Sequence, residues 1–371
     1  MASLSLILAA ASVAQAYTNI DCGFYMRKNI DPIVMPGEYR SHMHSFFGSD
    51  AVTASTNTSE QLRQGCHTNS NPNDFSVYCK HAGAPWRTST DLSGIPTLYA
   101  VVNDERVPVE PNAFKAYYEK SGEAEIPYPE DLMIVAGNAQ ATSPADVDPL
   151  ATHSWWCEYG FEDGVDPTNP DPSGFPAKTC SLGRLQTILR FQDCVNPDTL
   201  EVAYSGRHNL PRVNRCPEGM KRVPQLRFSV RYNLSKALPD GWNGPAPLEL
   251  ASGAGYTFHG DFMNGWDPEA SANMLTQITD KREFQALTGS ITSLPNCEAR
   301  DADPDNGTSD LQESISLIDA ASAPAPEPEN VPEVVPEADE ASASPTPTQA
   351  TVTVYVTVAP TECAPTQGSS Y

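Results

Sequence analysis

Proline and glycine interrupt residues 17–300 every few positions, and this punctuation leaves little room for long amphipathic helices. Short strands fit between the breakers. Thr97–Val102 follows Pro96 and stops at Asn103. Leu132–Gly137 is a compact apolar run closed by glycine. Leu226, Phe228, Val230 and Tyr232 alternate with Arg227, Ser229 and Arg231, as one buried and one wet strand face require. Leu185–Phe191 alternates less cleanly, because Ile188 falls out of phase. Asn112–Lys120 and Ala270–Leu287 are the best helical candidates. The pattern predicts a mainly β fold with some helix: a single disulfide-rich domain, sandwich-like or an irregular barrel, followed by a disordered C-terminal tail.

The cysteines fit an oxidising compartment. There are nine, and eight of them precede residue 300, enough for four bridges. Short closures such as Cys66 with Cys79 or Cys194 with Cys216 are the plausible pairings, and Cys363 is left over in the tail. Met1–Ala16 reads as a secretory signal, with an apolar run at Leu4–Val13 and a small-residue cleavage site at Ala14-Gln15-Ala16. That run is too short to span a membrane, and no other stretch is long and apolar enough. Sequons at Asn57, Asn233 and Asn306 fit the same secreted, extracellular or cell-wall location.

Composition shifts near residue 300. Residues 300–371 are rich in Pro, Ser, Thr and Glu and too poor in large apolar side chains to offset the entropy of ordering. The expected organisation is a signal at 1–16, a globular domain at 17–299 and a tail at 300–371. The net charge of −24 divides unevenly. No Lys or Arg follows Arg300, whereas 13 acids do, which leaves 11 net negative charges on residues 1–300. Such a surface argues against nucleic acid as a partner, since phosphate contacts need basic groups. The expected state is a monomer.

Two stretches carry chemistry. The first is Ser41-His42-Met43-His44-Ser45-Phe46-Phe47-Gly48-Ser49-Asp50. On an extended chain, residues i and i+2 share a face, so His42 and His44 project together. The second is Phe258-His259-Gly260-Asp261-Phe262-Met263-Asn264-Gly265-Trp266-Asp267, where His259 and Asp261 share a face in the same way. If the stretches converge, His42, His44, His259 and Asp261 form a three-histidine, one-carboxylate set suited to one divalent metal ion or to proton transfer. Structural histidines are the alternative. Asp50, Asp74, Asp261 and Asp267 are candidate carboxylates for glycoside hydrolysis, which needs two held about 5–10 Å apart; capping or turn roles compete. Phe47, Asp50, Asn264, Trp266 and Asp267 are the candidate binding residues, with Trp266 the candidate for stacking on sugar. There is no GxSxG elbow, phosphate loop or HExxH motif.

Together these segments resemble a secreted fungal family, the domain of unknown function numbered one-nine-nine-six. Its members often carry a carbohydrate-binding WSC module or a Ser/Thr-rich tail. The resemblance runs from about Cys22 to Trp266. It is carried by Asp31-Pro32, Pro36-Gly37, Ser41–Gly48, Asp74–Tyr78, Pro96–Tyr99, Met133–Gly137, Cys216-Pro217, His259–Phe262 and Asn264-Gly265-Trp266. The chain departs from the pattern at Cys194-Val195-Asn196-Pro197, where members read Cys-Trp-Asp-Gly, and at Glu201, where members have histidine. If that aspartate and histidine serve the family's chemistry, this chain is altered or inactive, with His208 nearby as a substitute.

The reading is a secreted hydrolase of cell-wall or plant polysaccharide with a His/Asp site and one divalent metal ion. The alternative is a non-catalytic carbohydrate-binding or cell-wall-associated protein.

Overall fold

The computed structural model describes residues 17–307 apart from 22, 40, 78–95, 110, 152–153, 158–169, 181–182, 207–215 and 277–286. The chain divides into two units, 1–323 and 324–371, and all described residues lie in the first. Residues 1–16, on which the expected signal falls, 308–371, His208, Cys22, Cys79 and Cys363 are outside the described residues.

The fold is mainly β, as the punctuation implies. The largest sheet has five antiparallel strands in the order Tyr17–Asp21, Pro111–Glu119, Gln225–Asn233, Arg184–Arg190, Ser154–Cys157. Leu248–Leu250, Leu98–Val102 and Glu105–Val109 form a second sheet, and Val202–Ala203, Cys194–Val195 and Lys221–Arg222 a third. Two ribbons complete the set: His259–Met263 with Met133–Gly137, and Phe24–Lys28 with His44–Phe47. Among the described residues the sheets are open, and none closes into a barrel.

Asn112–Lys120 is not a helix. Residues 112–119 lie in the strand Pro111–Glu119, whose Phe114, Ala116 and Tyr118 are buried at two-residue spacing, and Lys120 turns out of it. The segment's helix-forming Ala, Lys and Glu residues are overridden by that apolar face, which needs the sheet to bury it. The second candidate is shorter than expected: the helix Pro268–Asn273 covers its start, and 277–286 lies outside the described residues. The phase break at Ile188 has a simple cause. Thr187 takes the inward position, and its hydroxyl donates to the Ser154 carbonyl at 2.8 Å, while Ile188 is half-buried on the other face.

The core lies on the inner face of the large sheet. Phe114, Phe228 and Phe191 pack ring against ring at 4.9 and 4.4 Å. Each buried ring contributes roughly 1.5–3 kcal/mol by leaving water. The His259–Met263 ribbon lies on this layer. A Cβ on Gly260 would sit 2.8 Å from the Phe228 ring and 2.9 Å from Leu189, so glycine lets the ribbon settle on the sheet.

Three disulfides are described: Cys66–Cys297, Cys157–Cys180 and Cys194–Cys216. The Cys194–Cys216 pairing is the expected one. Cys66 pairs not with Cys79 but with Cys297, 231 residues on. Residues just past 299 make contacts of their own with this unit. The Lys28 ammonium is buried and pairs with Asp301 at 2.9 Å. It also donates to the carbonyls of Asn306, at 2.6 Å, and Asp303. The Tyr39 hydroxyl donates to the Asp303 carboxylate at 2.5 Å. Residues 300–307 thus strap the segment that leads into the first histidines.

Beside Cys66, His67 is 6% exposed and meets the Phe75 ring edge-on at 4.4 Å. Burial pushes its pKa down to about 4. The unfolded chain binds the proton near the ordinary 6.5, so the fold loses stability as pH falls from 6.5 toward 4 and keeps this contribution in full above 6.5. The loss levels off at about 3 kcal/mol. A His67→Phe variant keeps an aromatic ring against Phe75 without the titrating group, so its thermal midpoint is expected to fall less steeply across that window. A slope identical to the parent's refutes the assignment.

Candidate functional site

The first histidine stretch is positioned by a closed loop. Residues 29–41 leave the strand Phe24–Lys28 and return toward its partner His44–Phe47. The loop ends are tied by the Ser41 N–H donating to the Asn29 carbonyl at 3.1 Å. The Asn29 amide also donates to the Tyr39 carbonyl at 2.8 Å. Inside the loop, Asp31 Oδ1 accepts the N–H groups of Ile33 and Val34 at 3.0 and 2.8 Å. The second stretch is a strand. His259 sits opposite Gly137, and Asp261 opposite Val135. Gly137 has φ +84°, and a Cβ there would lie 2.4 Å from the Phe258 carbonyl oxygen and 2.7 Å from His259 Cα. Only glycine permits that approach.

The two stretches meet. His42 Nε2 lies 3.0 Å from His259 Nε2, and His44 Nε2 lies 3.2 Å from the same atom. Asp261 Oδ2 is 3.3 Å from His44 Nε2. The i, i+2 reading of both stretches therefore holds in geometry, and the four expected side chains form one cluster.

The other nitrogens decide what the cluster can do. His44 Nδ1 is 3.0 Å from the Ile30 carbonyl, and His259 Nδ1 is 3.0 Å from the Thr257 carbonyl. A carbonyl only accepts, so both Nδ1 atoms carry the proton. Each neutral ring then presents a bare lone pair at Nε2. Two lone pairs face each other at 3.2 Å with no proton between them. Such a contact is unfavourable unless a cation fills it. Nδ1 held by a carbonyl is also the usual outer-shell arrangement of a metal-ligating histidine.

Electrostatics point the same way. Burial holds the His42 pKa well below the usual imidazole value, and the neighbouring His44 and His259 rings lower it further. Burial likewise lowers His44. His259 is pushed down to about 4, first by burial and then by His44. Three neutral imidazoles are available as ligands at neutral pH. Asp261 is pushed well above the carboxylate range by burial and by the neighbouring Asp31 carboxylate. Its Oδ1 is buried without a hydrogen-bond partner.

His42, His259, Asp261 and Asp31 line a cleft of about 750 Å³, while His44 lies buried behind them. Asn138, Gln140, Ser252 and Thr257 supply neutral hydrogen-bonding groups to it, and Tyr256 supplies an aromatic face. The Tyr256 hydroxyl donates to the Thr142 carbonyl at 3.1 Å, which fixes the ring between two loops.

The expected binding residues are elsewhere. Trp266 is fully buried, and its indole N–H donates to the Tyr118 hydroxyl at 2.9 Å, so it cannot stack on sugar. Phe47 is a core residue 5.0 Å from Phe114. Asn264 is buried and donates to the Pro129 carbonyl. Asp267 caps the helix Pro268–Asn273 through the Ala270 N–H and accepts from Ser290. Asp50 accepts the Arg300 N–H at 3.0 Å, and Asp74 caps Ser76. None of these six lines the cleft. Asp31 is the residue that sequence reasoning missed. Its Asp-Pro context reads as a turn, and it does cap one, but a carboxylate oxygen of Asp31 also lies within 4.8 Å of ligand atoms of His44 and Asp261.

The family comparison settles one question. A family described as a domain of unknown function, DUF1996, matches residues 31–266. The chain belongs to this family. The matched span begins at Asp31 and ends at Trp266, so it takes in both halves of the cluster. Comparison with curated proteins and with solved structures gave no match. The departures from the DUF1996 pattern fall away from the cleft. Asn196 Oδ1 accepts the N–H groups of Asp198 and Thr199 in a turn, and Glu201 is exposed. Neither residue lines the cleft. Among the described residues, no helix is long and apolar enough to cross a membrane.

Proposed function

We propose that this chain is a metal-dependent hydrolase of polysaccharide, with His42, His44 and His259 as neutral nitrogen ligands and Asp261 as the carboxylate of the set. The observation that carries the metal is the pair of bare Nε2 lone pairs facing each other at 3.2 Å, each ring fixed by its own backbone carbonyl. A bound divalent ion supplies Lewis acidity and a hydroxide-like water at neutral pH. The protein's part is to hold the rings in register and to present the cleft beside them. The reading of polysaccharide rests on an open cleft with neutral hydrogen-bonding groups and one fixed aromatic face, Tyr256. Sugar rings pack on such faces through their apolar surface. Three disulfides suit an oxidising, secreted setting.

The test is elemental analysis of the purified chain, followed by a panel of cell-wall and plant polysaccharides with and without chelator. One bound ion per chain is expected, with sugar release that chelator abolishes and added ion restores. Binding to a glycan array without product selects the alternative, a non-catalytic carbohydrate-binding protein. Absence of both metal and product overturns the proposal.

A further inference from the structure

This inference rests on the polysaccharide reading above and names the class of glycan. Three stretches of chain line the cleft: the loop before His42, the turn after Gly137 and the loop before His259. The first brings Val34 and Met35. Val34 is 63% exposed, the most open of the large apolar side chains among the described residues. The second brings Gln140, which is exposed on a turn built by its neighbour. Asn138 Oδ1 accepts the Gln140 N–H at 3.0 Å, and Asn138 Nδ2 donates to the Asp146 carbonyl at 3.1 Å. The third brings Tyr256 and Ser252, with the Ser252 hydroxyl 2.8 Å from the Thr257 hydroxyl.

Charge is distributed unevenly over this lining. Among the described residues that line the cleft, none is Lys or Arg. The acidic groups are Asp31 and Asp261, and a carboxylate oxygen of each lies within 4.8 Å of the other. Residues 1–300 carry 11 net negative charges, so the surrounding field repels anions as well. A carboxylate leaving water needs cationic or N–H donors, and the forked guanidinium of arginine is the common solution. A uronate in this cleft would meet carboxyl groups instead. A sugar hydroxyl both donates and accepts, and the Gln140 amide answers it with a donor and an acceptor of its own. The apolar C–H faces of a neutral pyranose ring suit Tyr256, Val34 and Met35.

We propose that this cleft selects neutral polysaccharide over polyuronate, by withholding a cationic side chain from any substrate carboxylate while offering amide and apolar contacts to uncharged sugar rings. Specificity is a difference of two affinities, and an unpaired substrate charge lowers only one of them. A single cation placed on the exposed turn is therefore expected to relax the selection.

The experiment is calorimetric titration of the full chain, as purified and after chelation, with hexasaccharides of xylan, mannan and β-glucan and with hexagalacturonate. Chelation takes away the one cation the site is proposed to hold, so the comparison reads the protein's own groups. At least one neutral hexamer is expected to bind about tenfold or more tightly than hexagalacturonate, which corresponds to one modest unfavourable charge contact. Gln140→Lys and Ala139→Lys add an ammonium to the lining without altering a proposed ligand. Both are expected to gain affinity for hexagalacturonate and not for the neutral hexamers, and that gain should shrink as salt rises. A chain that binds no hexamer of either class overturns the polysaccharide reading and this inference together. A chain that binds hexagalacturonate as tightly as the neutral hexamers or more so, in either state, overturns the charge selection alone, and so does a parent that prefers neutral hexamers while neither lysine variant gains.

Discussion

Replacing His259 by alanine is expected to empty the site. His259 Nε2 is the atom common to both short imidazole contacts, 3.0 Å to His42 and 3.2 Å to His44. Removing it takes away a ligand and the geometric centre of the donor set. The loss of affinity should exceed the roughly 10–100-fold cost of losing an outer-shell partner. Elemental analysis after dialysis checks this directly, with about one ion per parent chain and none in the variant. A second readout does not depend on activity. An ion present at about 100 times its dissociation constant should stabilise the parent by about 2.7 kcal/mol and leave His259→Ala unmoved. A variant that keeps its ion and its thermal shift would falsify the metal site.

The second large effect concerns stability and falls on Trp266. Its side chain is fully buried, meets the Tyr118 ring edge-on at 5.6 Å and donates to the Tyr118 hydroxyl. Trp266→Ala should cost about 3–5 kcal/mol through the cavity alone, and more because the Tyr118 hydroxyl loses its donor. In a domain of this size that is a drop in thermal midpoint of roughly 10 °C or more. The protein that remains folded should bind glycan as the parent does. Tyr256→Ala is the contrasting variant: it should weaken glycan binding and change the midpoint little. Calorimetry beside a glycan-binding assay separates the two. A stable Trp266→Ala protein with lost glycan binding would return Trp266 to the cleft and remove Tyr256 from it.

Trp266 also shows where sequence reasoning goes astray. Its neighbours Asn264 and Asp267 look like a polar site, but both are spent on backbone, Asn264 on Pro129 and Asp267 on Ala270. Small polar side chains beside an aromatic ring are as much the mark of a turn packed on a core as of a binding face. Asn112–Lys120 misleads in a related way. Its residue types favour helix singly, and only the two-residue spacing of Phe114, Ala116 and Tyr118 reveals the strand. Cys66 reads as the partner of a nearby cysteine because short loops close easily, yet the fold brings it Cys297.

What the order of residues settled unaided is local. Pro and Gly spacing forbade long helices, and period-two patterning put His42 with His44, and His259 with Asp261, on shared faces. Those relations depend only on backbone geometry over a few residues, so they are written in the chain. The meeting of His44 with His259, 215 positions apart, is not. It depends on the register of His259 against Gly137 and on a close backbone approach that only glycine allows at Gly137. It depends as well on a loop whose two ends are tied by backbone hydrogen bonds. Asp31 joined the cluster for the same reason. Its local signal was spent on a turn, and its nearness to Asp261 exists only after distant strands have packed.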